Sequence, residues 1–380
     1  MSRPILEIAD LMVLARRRVP RMFFDYVDSG AYTGATYRAN ETDFAAIRLR
    51  QRVGRKLSNR SLTSTMLAQQ VAMPVALAPT GIAGMQHADG EILAAQAAEQ
   101  FGVPFTLSTM SVCSIEDVAA QCRKPFWFQL YVMRDRGFVE GLMHRALAAN
   151  CSALMVTLDL QVVGQRHKDV RNGLSTPPRL GLSSALQLAL RPRWCAGMLR
   201  THRHRLGNLV GHAKGADDLT SMSAWVADQF DLEFSWDDLA WVRSRWPGKL
   251  ILKGIMDADD ARLAASTGAD AIIVSNHGGR QLDGAPSTIS KLPLIVEAVG
   301  DRIEVHMDGG IRSGQDVFRA LALGARGTYI GRPFLYGLGA LGKAGVSLAL
   351  SIIARELDTT MALCGLRGIA EIGPHNLETV

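Results

Sequence analysis

The chain has 380 residues, of which 48% are hydrophobic and 21% charged, and a net charge of +6. This composition indicates a globular protein, and the length allows two domains or one α/β barrel. The five cysteines form no CxxC pair and no metal-ligand cluster, which argues against structural disulfides, and we assign no metal site. At the N-terminus the basic cluster follows the apolar part, the reverse of a secretory signal. We therefore expect a cytoplasmic protein without a transmembrane segment.

The order of the predicted elements is that of a (β/α)8 barrel. Residues 1–70 are predicted to form a helical N-terminal segment. Eight short aliphatic or β-branched runs follow, with helix-like segments between them, several of which open with an N-cap residue and close on glycine. The runs begin near Val75, Pro104, Phe126, Ala153, Lys249, Ala271, Arg302 and Gly327. Because such alternation produces a parallel sheet, eight units predict a TIM barrel over 71–350 within a single domain of 1–380, which ends in a helix and tail at 346–380.

A long insertion interrupts this repeat after the fourth strand, and we place it at 161–232. Strands four and five begin 96 residues apart, against roughly 20 to 30 elsewhere. The part from Arg171 to Ala216 holds eight Lys or Arg and no Asp or Glu, so it carries +8 and leaves −2 for the rest of the chain.

The insertion also contains apolar residues at helical spacing. Leu182, Leu186 and Leu190 recur every four residues, and together with Trp194 they predict an apolar face. A basic and apolar segment is typical of a contact with an anionic membrane surface, which we expect for 171–216. A solvated flap over the active site is the alternative, and no nucleic-acid-binding module is recognisable.

The sequence SNHGGRQLD, from Ser275 to Asp283, follows the sixth strand and carries a histidine and an arginine three residues apart. His277 has the side chain whose unperturbed pKa is nearest to neutrality, and Arg280 has a planar guanidinium that suits a carboxylate. The pair could therefore bind an acid and deprotonate its neighbouring carbon. For the nonapeptide alone, a polar surface loop is the alternative.

Polar residues also follow the other strands. In a TIM barrel the C-terminal ends of the strands meet at the active site, so we expect these side chains to converge. Lys253 closes the apolar run of strand five, and a buried lysine needs an anion or an electron-rich partner. The residues at the first four strand ends are Pro79, Thr80, Gly81, Ser108, Gln129, Tyr131, Thr157 and Asp159.

A phosphate site is predicted after the last two strands. The motifs DGGIRSG and GRP each lead into a helix, and they contain Asp308, Gly309, Gly310, Arg312, Gly331 and Arg332. Backbone N–H groups, helix N-termini and arginines at this place form the usual phosphate site of the barrel. The chain has neither GxGxxG after a strand nor a P-loop, so flavin mononucleotide (FMN) fits better than NAD. A phosphorylated substrate is the alternative.

Taken together, the motifs resemble one family. YVDSGA, PTG, LST, FQLYV, VTLD, GQRHKD, LKG, SNHGGRQLD, DGGIR and IGRP span nearly the whole chain. They are similar to motifs of the FMN-dependent L-2-hydroxy acid dehydrogenases and oxidases, and within that family to the bacterial respiratory L-lactate dehydrogenases.

The resemblance implies roles for individual residues. His277 is implied as the base, with Asp159 holding its imidazole and with Tyr131 and Arg280 also in the catalytic set. Substrate contacts are implied for Tyr26, Tyr131, Arg166 and Arg280. FMN contacts are implied for Pro79, Thr80, Gly81, Ser108, Gln129, Thr157, Lys253, Asp308, Gly309, Gly310, Arg312, Gly331 and Arg332.

The resemblance further implies oxidation of an L-2-hydroxy acid, with L-lactate to pyruvate as the expected reaction. A membrane quinone is the expected acceptor, and the protein is expected on the inner face of the cell membrane as a peripheral homo-oligomer, in this family a tetramer. No nucleic acid is expected as a partner. The alternatives are a soluble oxidase that uses O2, another substrate such as mandelate or glycolate, and an FMN-dependent isomerase.

Two departures from the family bear on specificity. Met110 stands where the plant glycolate oxidases carry tryptophan, and Gly81 is alanine in some relatives. The first changes one wall of the expected substrate pocket, and the second lies in the loop expected beside the flavin.

Overall fold

The N-terminal segment consists of three helices followed by a β-hairpin. The structure, a computed structural model, describes residues 4–174, 182–211 and 228–378. The helices are α1 (Ile8–Arg18), α2 (Arg21–Val27) and α3 (Ala35–Thr42), and the hairpin pairs β1 (Ser64–Met66) with β2 (Gln69–Val71). The hairpin was not predicted, since the whole of 1–70 was expected to be helical. Its strands have three residues each, too few to show strand periodicity in the sequence.

Eight parallel strands close into a barrel, as the sequence predicts. They are β3 (Val75–Leu77), β4 (Thr106–Ser108), β5 (Trp127–Leu130), β6 (Ala153–Thr157), β7 (Lys249–Ile255), β8 (Ala271–Val274), β9 (Glu304–Met307) and β10 (Gly327–Ile330). Their order in the sheet is β3-β10-β9-β8-β7-β6-β5-β4, and a parallel bridge between Leu77 and Phe105 joins the two ends. The C-terminal ends of all eight strands therefore lie at one mouth of the barrel.

Both faces of the barrel strands are buried, which explains why they are continuous apolar runs in the sequence. One set of side chains, which includes Trp127, Met155 and Ile251, fills the interior together with Met66 of the hairpin. The other set packs against the surrounding helices. A Cβ at Gly327, where β10 begins, would lie 2.4 Å from the Met66 side chain. The hairpin therefore covers the N-terminal end of the barrel.

Helices surround the barrel between successive strands. Several begin at the predicted N-caps: the side chains of Ser114, Asp257 and Ser313 each accept a hydrogen bond from a backbone N–H of the first turn. In chain order the helices are α4 (Gly90–Phe101), α5 (Ile115–Ala119), α6 (Arg136–Ala148), α7 (His167–Arg171), α8 (Leu182–Ala189), α9 (Pro192–Arg200), α10 (Asp238–Arg245), α11 (Ala258–Ser266), α12 (Thr288–Val299), α13 (Gly314–Ala322), α14 (Arg332–Leu341) and α15 (Lys343–Leu363).

The insertion after β6 contains α7, α8 and α9. Leu186 on α8 and Leu190, just after it, are 63% and 62% exposed, and Leu199 on α9 is 86% exposed, whereas Gln187 accepts a hydrogen bond from the Met22 amide of α2 at 3.1 Å. These three leucines are thus turned outward, whereas Met198 of α9 is buried. The predicted Leu182 side chain and residues 175–181 and 212–227 lie outside what the structure describes.

Trp194 does not belong to this exposed face, contrary to the prediction. Its indole N–H donates to the Met85 carbonyl at 2.9 Å, and its ring stacks on Phe23 at a centroid distance of 5.4 Å. A tryptophan can bury its ring where an acceptor is available for its N–H, so Trp194 anchors α9 to the body of the protein. Within the described ranges, no helix is both long and apolar enough to cross a membrane.

Candidate active site

A cavity of about 640 Å³ opens at the C-terminal ends of the barrel strands. Among the predicted site residues, those that line it are Tyr26, Pro79, Thr80, Gly81, Tyr131, Thr157, Arg166, Lys253, His277, Arg280, Asp308, Gly309, Gly310, Arg312, Gly331 and Arg332. Ser108, Gln129 and Asp159 support the lining from behind. Ser108 accepts a hydrogen bond from the Met110 amide at 3.1 Å and donates to Gln129 at 3.0 Å.

His277 lies on the turn after β8 with a left-handed backbone (φ +58), a conformation that is strained for a side chain with a Cβ. Its Nδ1 lies 2.9 Å from Asp159 Oδ1, which places the N–H at Nδ1 and leaves Nε2 as an acceptor. Burial lowers the pKa of His277, and the positive charges of Lys253 and Arg166 add to this, whereas Asp159 opposes it. The imidazole is therefore neutral at pH 7 and able to accept a proton.

Asp159 reaches His277 because β7 is irregular at Gly254. This glycine has φ +108, and a Cβ on it would lie 2.7 Å from the Asp159 Cβ. The pairing of β7 with β8 shifts register between Lys253 and Ile255. Burial would raise the pKa of Asp159, but His277 and Lys253 outweigh it and lower the pKa, so the carboxylate is ionised. Gly254 was not predicted from the sequence, where its signal is a glycine within an apolar run.

Arg166 and Arg280 lie together on the wall of the cavity. The Arg280 guanidinium lies 4.6 Å from the centre of the Tyr26 ring and donates to the Tyr26 carbonyl. Arg166 donates to the Gln281 side chain at 3.3 Å. Burial, together with the positive charge of Arg280, lowers the pKa of Arg166 to about 10. Two desolvated cations side by side favour an anion between them, and a carboxylate matches the shape of the guanidinium.

Asp169 is a counter-charge for this pair and was not predicted from the sequence. Its carboxylate lies 3.7 Å from Arg280 Nη2, and burial raises its pKa although both arginines oppose this. The available signal was its position three residues after Arg166 in GQRHKD, about one helical turn.

Tyr131 contributes a hydrogen-bond donor to the same cavity. Burial, together with the negative charge of Asp159, raises its pKa, so the phenol keeps its proton. Its ring lies edge-on against Phe230 at a centroid distance of 5.9 Å. A protonated phenol beside two arginines adds a neutral donor for a bound carboxylate.

Lys253, near the end of β7, is buried in an ion pair. Its Nζ lies 3.2 Å from Asp308 Oδ2 and donates to Ser275 Oγ at 2.7 Å. Burial would lower the pKa of Lys253, but Asp308 and Asp159 raise it, so the ammonium stays charged. A fixed positive charge on the cavity wall can stabilise negative charge that develops on a bound group.

The loop after β9 depends on two glycines. Gly309 and Gly310 have left-handed backbones, with φ +90 and +84, and a Cβ on Gly310 would lie 1.7 Å from the Asn40 carbonyl oxygen. A side chain therefore cannot be accommodated at Gly310. The tight approach of α3 to this loop brings its backbone to the edge of the cavity, where the sequence predicts a phosphate.

Two arginines complete this end of the cavity. Arg332, at the start of α14, donates to the carbonyls of Val27 at 2.9 Å and Ser29 at 2.8 Å, and Arg312 pairs with Glu41 at 2.6 Å. Burial and the positive charge of Arg312 lower the pKa of Arg332. Positive charge is thus concentrated beside a helix N-terminus, an arrangement suited to a phosphate group.

A layer of residues behind these arginines was not predicted. Asp28 Oδ1 accepts hydrogen bonds from Tyr37 at 3.0 Å and from Tyr336 at 2.8 Å, and the Arg332 guanidinium lies 4.5 Å from the centre of the Tyr37 ring. Asp28 belongs to the motif YVDSGA, but Tyr336 is 308 positions away. No local pattern in the sequence could show this contact.

The residues around the cavity fit FMN. Among the described residues around the cavity, the buried polar atoms without a hydrogen-bond partner include three on predicted cofactor residues, namely Gln129 Nε2, Thr157 Oγ1 and Asp308 Oδ1. Such atoms are uncommon in folded proteins unless a ligand or water satisfies them, and the polar edge of a flavin offers both donors and acceptors. A Cβ on Gly331 would meet only Ala78 and Thr80, at 3.8 Å. Its lack of a side chain leaves space that suits a ligand.

Comparisons with known proteins agree with this geometry. Residues 15–379 match the family model described as FMN-dependent dehydrogenase. The L-lactate dehydrogenase of Caulobacter vibrioides (strain NA1000 / CB15N) is 48% identical over 364 residues, which cover 96% of this chain and 95% of the relative. That of Azorhizobium caulinodans is 48% identical over 370 residues, 97% of each chain.

Solved structures show the same similarity. The crystal structure of a monotopic membrane protein, (S)-mandelate dehydrogenase, covers 100% of both chains with a TM-score of 0.95 and 36% identity. A mandelate oxidase structure covers 98% of both chains with a TM-score of 0.85 and 34% identity. The chain therefore belongs to the FMN-dependent dehydrogenase family and is an oxidoreductase that uses FMN.

Proposed function

We propose that the protein oxidises an L-2-hydroxy acid, and that the reaction is the conversion of L-lactate to pyruvate. The observation that carries this proposal is the presence in one cavity of a neutral His277, backed by Asp159, and the Arg166–Arg280 pair. The histidine can accept a proton and the arginines can bind a carboxylate, as a 2-hydroxy acid substrate requires. Lactate is supported by the relatives at 48% identity, which carry the name L-lactate dehydrogenase.

Substrate binding is assigned to the arginine pair. The carboxylate binds Arg280 and Arg166, and Tyr26 and Tyr131 complete its surroundings. Fixing the carboxylate at several points restricts the orientation of the C2 atom, and such positioning is a large part of catalysis. While no substrate is bound, the Asp169 carboxylate offsets the repulsion between the Arg166 and Arg280 guanidinium groups.

Proton transfer is assigned to His277. Conversion of lactate to pyruvate releases two electrons and two protons. Nε2 of His277 accepts one of these protons, from either C2 or the hydroxyl group, and the other would pass with the two electrons to the acceptor. Asp159 stabilises the imidazolium that forms. FMN, held by the loops after β9 and β10 and by the other predicted cofactor residues, supplies the two-electron acceptor. The ammonium of Lys253 offsets negative charge that develops there.

The lining of the cavity favours a substrate with an apolar side chain. Met110, Leu160, Val163, Leu206 and Phe230 contribute to it, and glycolate would leave this surface uncovered. Larger substrates such as mandelate are the second candidate, which the likeness to (S)-mandelate dehydrogenase favours. The position of Met110 in the lining supports the expectation that it shapes the substrate pocket.

We also propose that the protein binds the inner face of the cell membrane and passes electrons to a quinone there. The three outward leucines of the insertion lie among exposed Arg193, Arg200 and Arg205, and the solved (S)-mandelate dehydrogenase is described as a monotopic membrane protein. An oxidase that uses O2 is the alternative. A homo-oligomer, expected as a tetramer from the family resemblance, is part of the same proposal.

Anaerobic addition of L-lactate to the purified holoenzyme tests the proposed reaction. Immediate bleaching of the flavin absorbance, with pyruvate formed in equal amount, is the expected result, and D-lactate is the control for stereochemistry. Faster bleaching with (S)-mandelate would favour the second candidate. No bleaching with any 2-hydroxy acid would contradict the proposal and favour an isomerase. Admission of O2 or a soluble quinone afterwards identifies the acceptor by the rate at which colour returns.

A further inference from the structure

Three titratable side chains form a hydrogen-bonded chain inside the barrel, and the reaction described above does not use them. His306 Nδ1 lies 3.1 Å from the Tyr329 hydroxyl, and His306 Nε2 lies 3.0 Å from Glu304 Oε2. Glu304 and His306 are two residues apart on β9 and share its interior face, and Tyr329 stands on the neighbouring β10. We call these residues the interior relay.

The interior relay lies where apolar side chains would be expected. Its surroundings in the barrel include Trp127, Met155, Ile251 and Ile273. His306 is fully buried and Tyr329 almost so. A buried polar group costs free energy unless it is hydrogen-bonded, and here both ring nitrogens of His306 have a partner. A well-packed core does not require such an arrangement, which indicates that the interior relay connects two parts of the molecule.

The two ends of the interior relay lie in different environments. The Glu304 side chain is about one third exposed and accepts a hydrogen bond from the Leu67 amide of the hairpin at 3.0 Å. Tyr329 lines the active-site cavity. The relay therefore leads from the solvent side of the barrel, beside the hairpin, to the wall of the cavity.

Asp308 is the next interior residue on the same strand, two positions after His306, and it holds Lys253. Burial, followed by the negative charges of Asp308 and Glu304, raises the pKa of Tyr329. The Asp308 carboxylate therefore interacts electrostatically with the phenol. Asp308 Oδ1 is buried and accepts no hydrogen bond from the described residues. If the Tyr329 hydroxyl turned toward Asp308, it could donate a hydrogen bond to this unpartnered Oδ1 atom.

We propose that Glu304, His306 and Tyr329 are positioning residues that adjust the charge of the Asp308–Lys253 pair and thereby the reduction potential of bound FMN. The inference rests on the FMN placement proposed above. It concerns how strongly the cofactor accepts electrons and assigns no new step to the chemistry of the substrate.

The relay can exist in two hydrogen-bonding states. With His306 neutral, the Tyr329 hydroxyl donates to Nδ1 and Nε2–H donates to the Glu304 carboxylate. When His306 takes up a proton from solvent through Glu304, both ring nitrogens donate, and the Tyr329 hydroxyl is released to donate toward Asp308. A hydrogen bond to Asp308 weakens the ion pair between Asp308 and Lys253. More of the positive charge of the Lys253 ammonium then acts on the cofactor.

The pH dependence follows from this exchange. The charged or titratable groups that face the relay are Glu304 and Asp308 on β9, Tyr329 on β10, Lys253 on β7 and, near Glu304, Arg326. Because uptake of a proton by the relay releases the Tyr329 hydroxyl toward Asp308, the relay should favour reduced FMN more strongly at acid than at alkaline pH.

The test is the midpoint potential of FMN in the holoenzyme, measured against redox dyes at several pH values between about 5 and about 8. Tyr329→Phe removes only the hydroxyl, and His306→Gln keeps hydrogen bonding but cannot gain a proton. Both should weaken the stabilisation of reduced FMN at acid pH about tenfold, which is about 30 mV for a two-electron couple. The loss should shrink toward alkaline pH.

Thr106→Val is the matched control, because it removes a buried barrel hydroxyl that has no hydrogen-bond partner in the described structure. A shift in Tyr329→Phe no larger than in this control would overturn the proposal. Additive shifts in the double variant Tyr329→Phe/His306→Gln would also overturn it, because residues of one relay should not act independently. The measurement needs no substrate, so failure of the lactate assignment would leave it interpretable. A wrong FMN placement would be detected by a separate experiment. If FMN is placed wrongly, a variant that lacks Arg312 and Arg332 would still purify with its full flavin content.

Discussion

His277 is the residue on which the proposed reaction depends most. We expect His277→Asn to slow reduction of the flavin by L-lactate about 10²- to 10⁴-fold, because an amide cannot accept the proton. FMN content should be unchanged, since the phosphate loops are untouched. Stopped-flow absorbance measures the rate, and the flavin spectrum of the purified variant is the control. A rate close to that of the wild type would remove His277 from the role of base.

The rate of flavin reduction should also depend on pH through His277. The base acts only when neutral, and burial holds its pKa below the ordinary 6.5. The rate should therefore stay constant from neutral pH to below 6.5 and fall only in more acid solution. Asp159→Asn should move this fall to still lower pH, because Asp159 raises the pKa of His277, and should lower the plateau. A fall in the wild type that begins above pH 6.5 would contradict this assignment.

Arg280 is expected to act on substrate binding. Arg280→Lys keeps the charge but loses the planar pair of donors, and a hydrogen bond to a charged group contributes about 1.5–3 kcal/mol. We expect the KM for L-lactate to rise about tenfold or more. Steady-state kinetics measures the change, and Arg302→Lys on the exposed surface is the control. An unchanged dependence on lactate concentration would count against the carboxylate site.

At this scale the sequence predicts residues whose chemistry is visible in a local motif and misses residues that act through distant contacts. The 2.9 Å contact of His277 with Asp159 was anticipated only through the resemblance of whole motifs to a family. Asp169 was not anticipated, although its spacing from Arg166 was an available signal. Asp28 and the His306–Tyr329 contact were not anticipated either, because each depends on a partner that only the tertiary fold brings close.

At the scale of elements, the loops after β9 and β10 are expected to hold the cofactor phosphate. Arg312→Ala/Arg332→Ala should yield largely colourless protein that binds riboflavin about as poorly as FMN, because the removed charges serve the phosphate and not the ring. Arg319→Ala is the control, since this arginine pairs with Asp316 at 3.3 Å and does not line the cavity. Circular dichroism checks that both proteins fold. A double variant that purifies with a full flavin spectrum would place the phosphate elsewhere.

The elements themselves were largely predictable. All eight barrel strands lie where apolar runs were found, because strands buried on both faces leave a continuous signal. The hairpin of β1 and β2 was missed because each strand has three residues. The sequence predicted Trp194 on the outer apolar face, but its side chain instead contacts Met85 and Phe23. These contacts depend on how α9 packs against the rest of the protein. Docking of a helix is a tertiary property that its own sequence does not determine.

At the scale of the whole molecule, the outward leucines of the insertion should decide membrane binding. Replacing Leu186, Leu190 and Leu199 with Gln should abolish co-sedimentation with anionic vesicles and leave flavin reduction by lactate intact. Wild-type binding should weaken at high salt, because charges are screened within about 10 Å at 0.1 M. Leu263→Gln/Leu294→Gln, on exposed leucines of α11 and α12 outside the insertion, is the control. If the wild type, the triple variant and the control variant all co-sedimented equally, the alternative that the insertion is a flap over the active site would be favoured.

The pairing of β3 with β10 has a consequence for how the protein is made. Thr328 on β10 bonds to Pro74, just before β3, across 254 positions of the chain, so a ribosome must deliver almost the entire polypeptide before the ring of strands can close. Arg332, two residues after the end of β10, is the residue that we propose holds the cofactor phosphate. On that proposal, cofactor loading should come after synthesis of the last strand. Until then the nascent chain carries open sheet edges, which are vulnerable to aggregation.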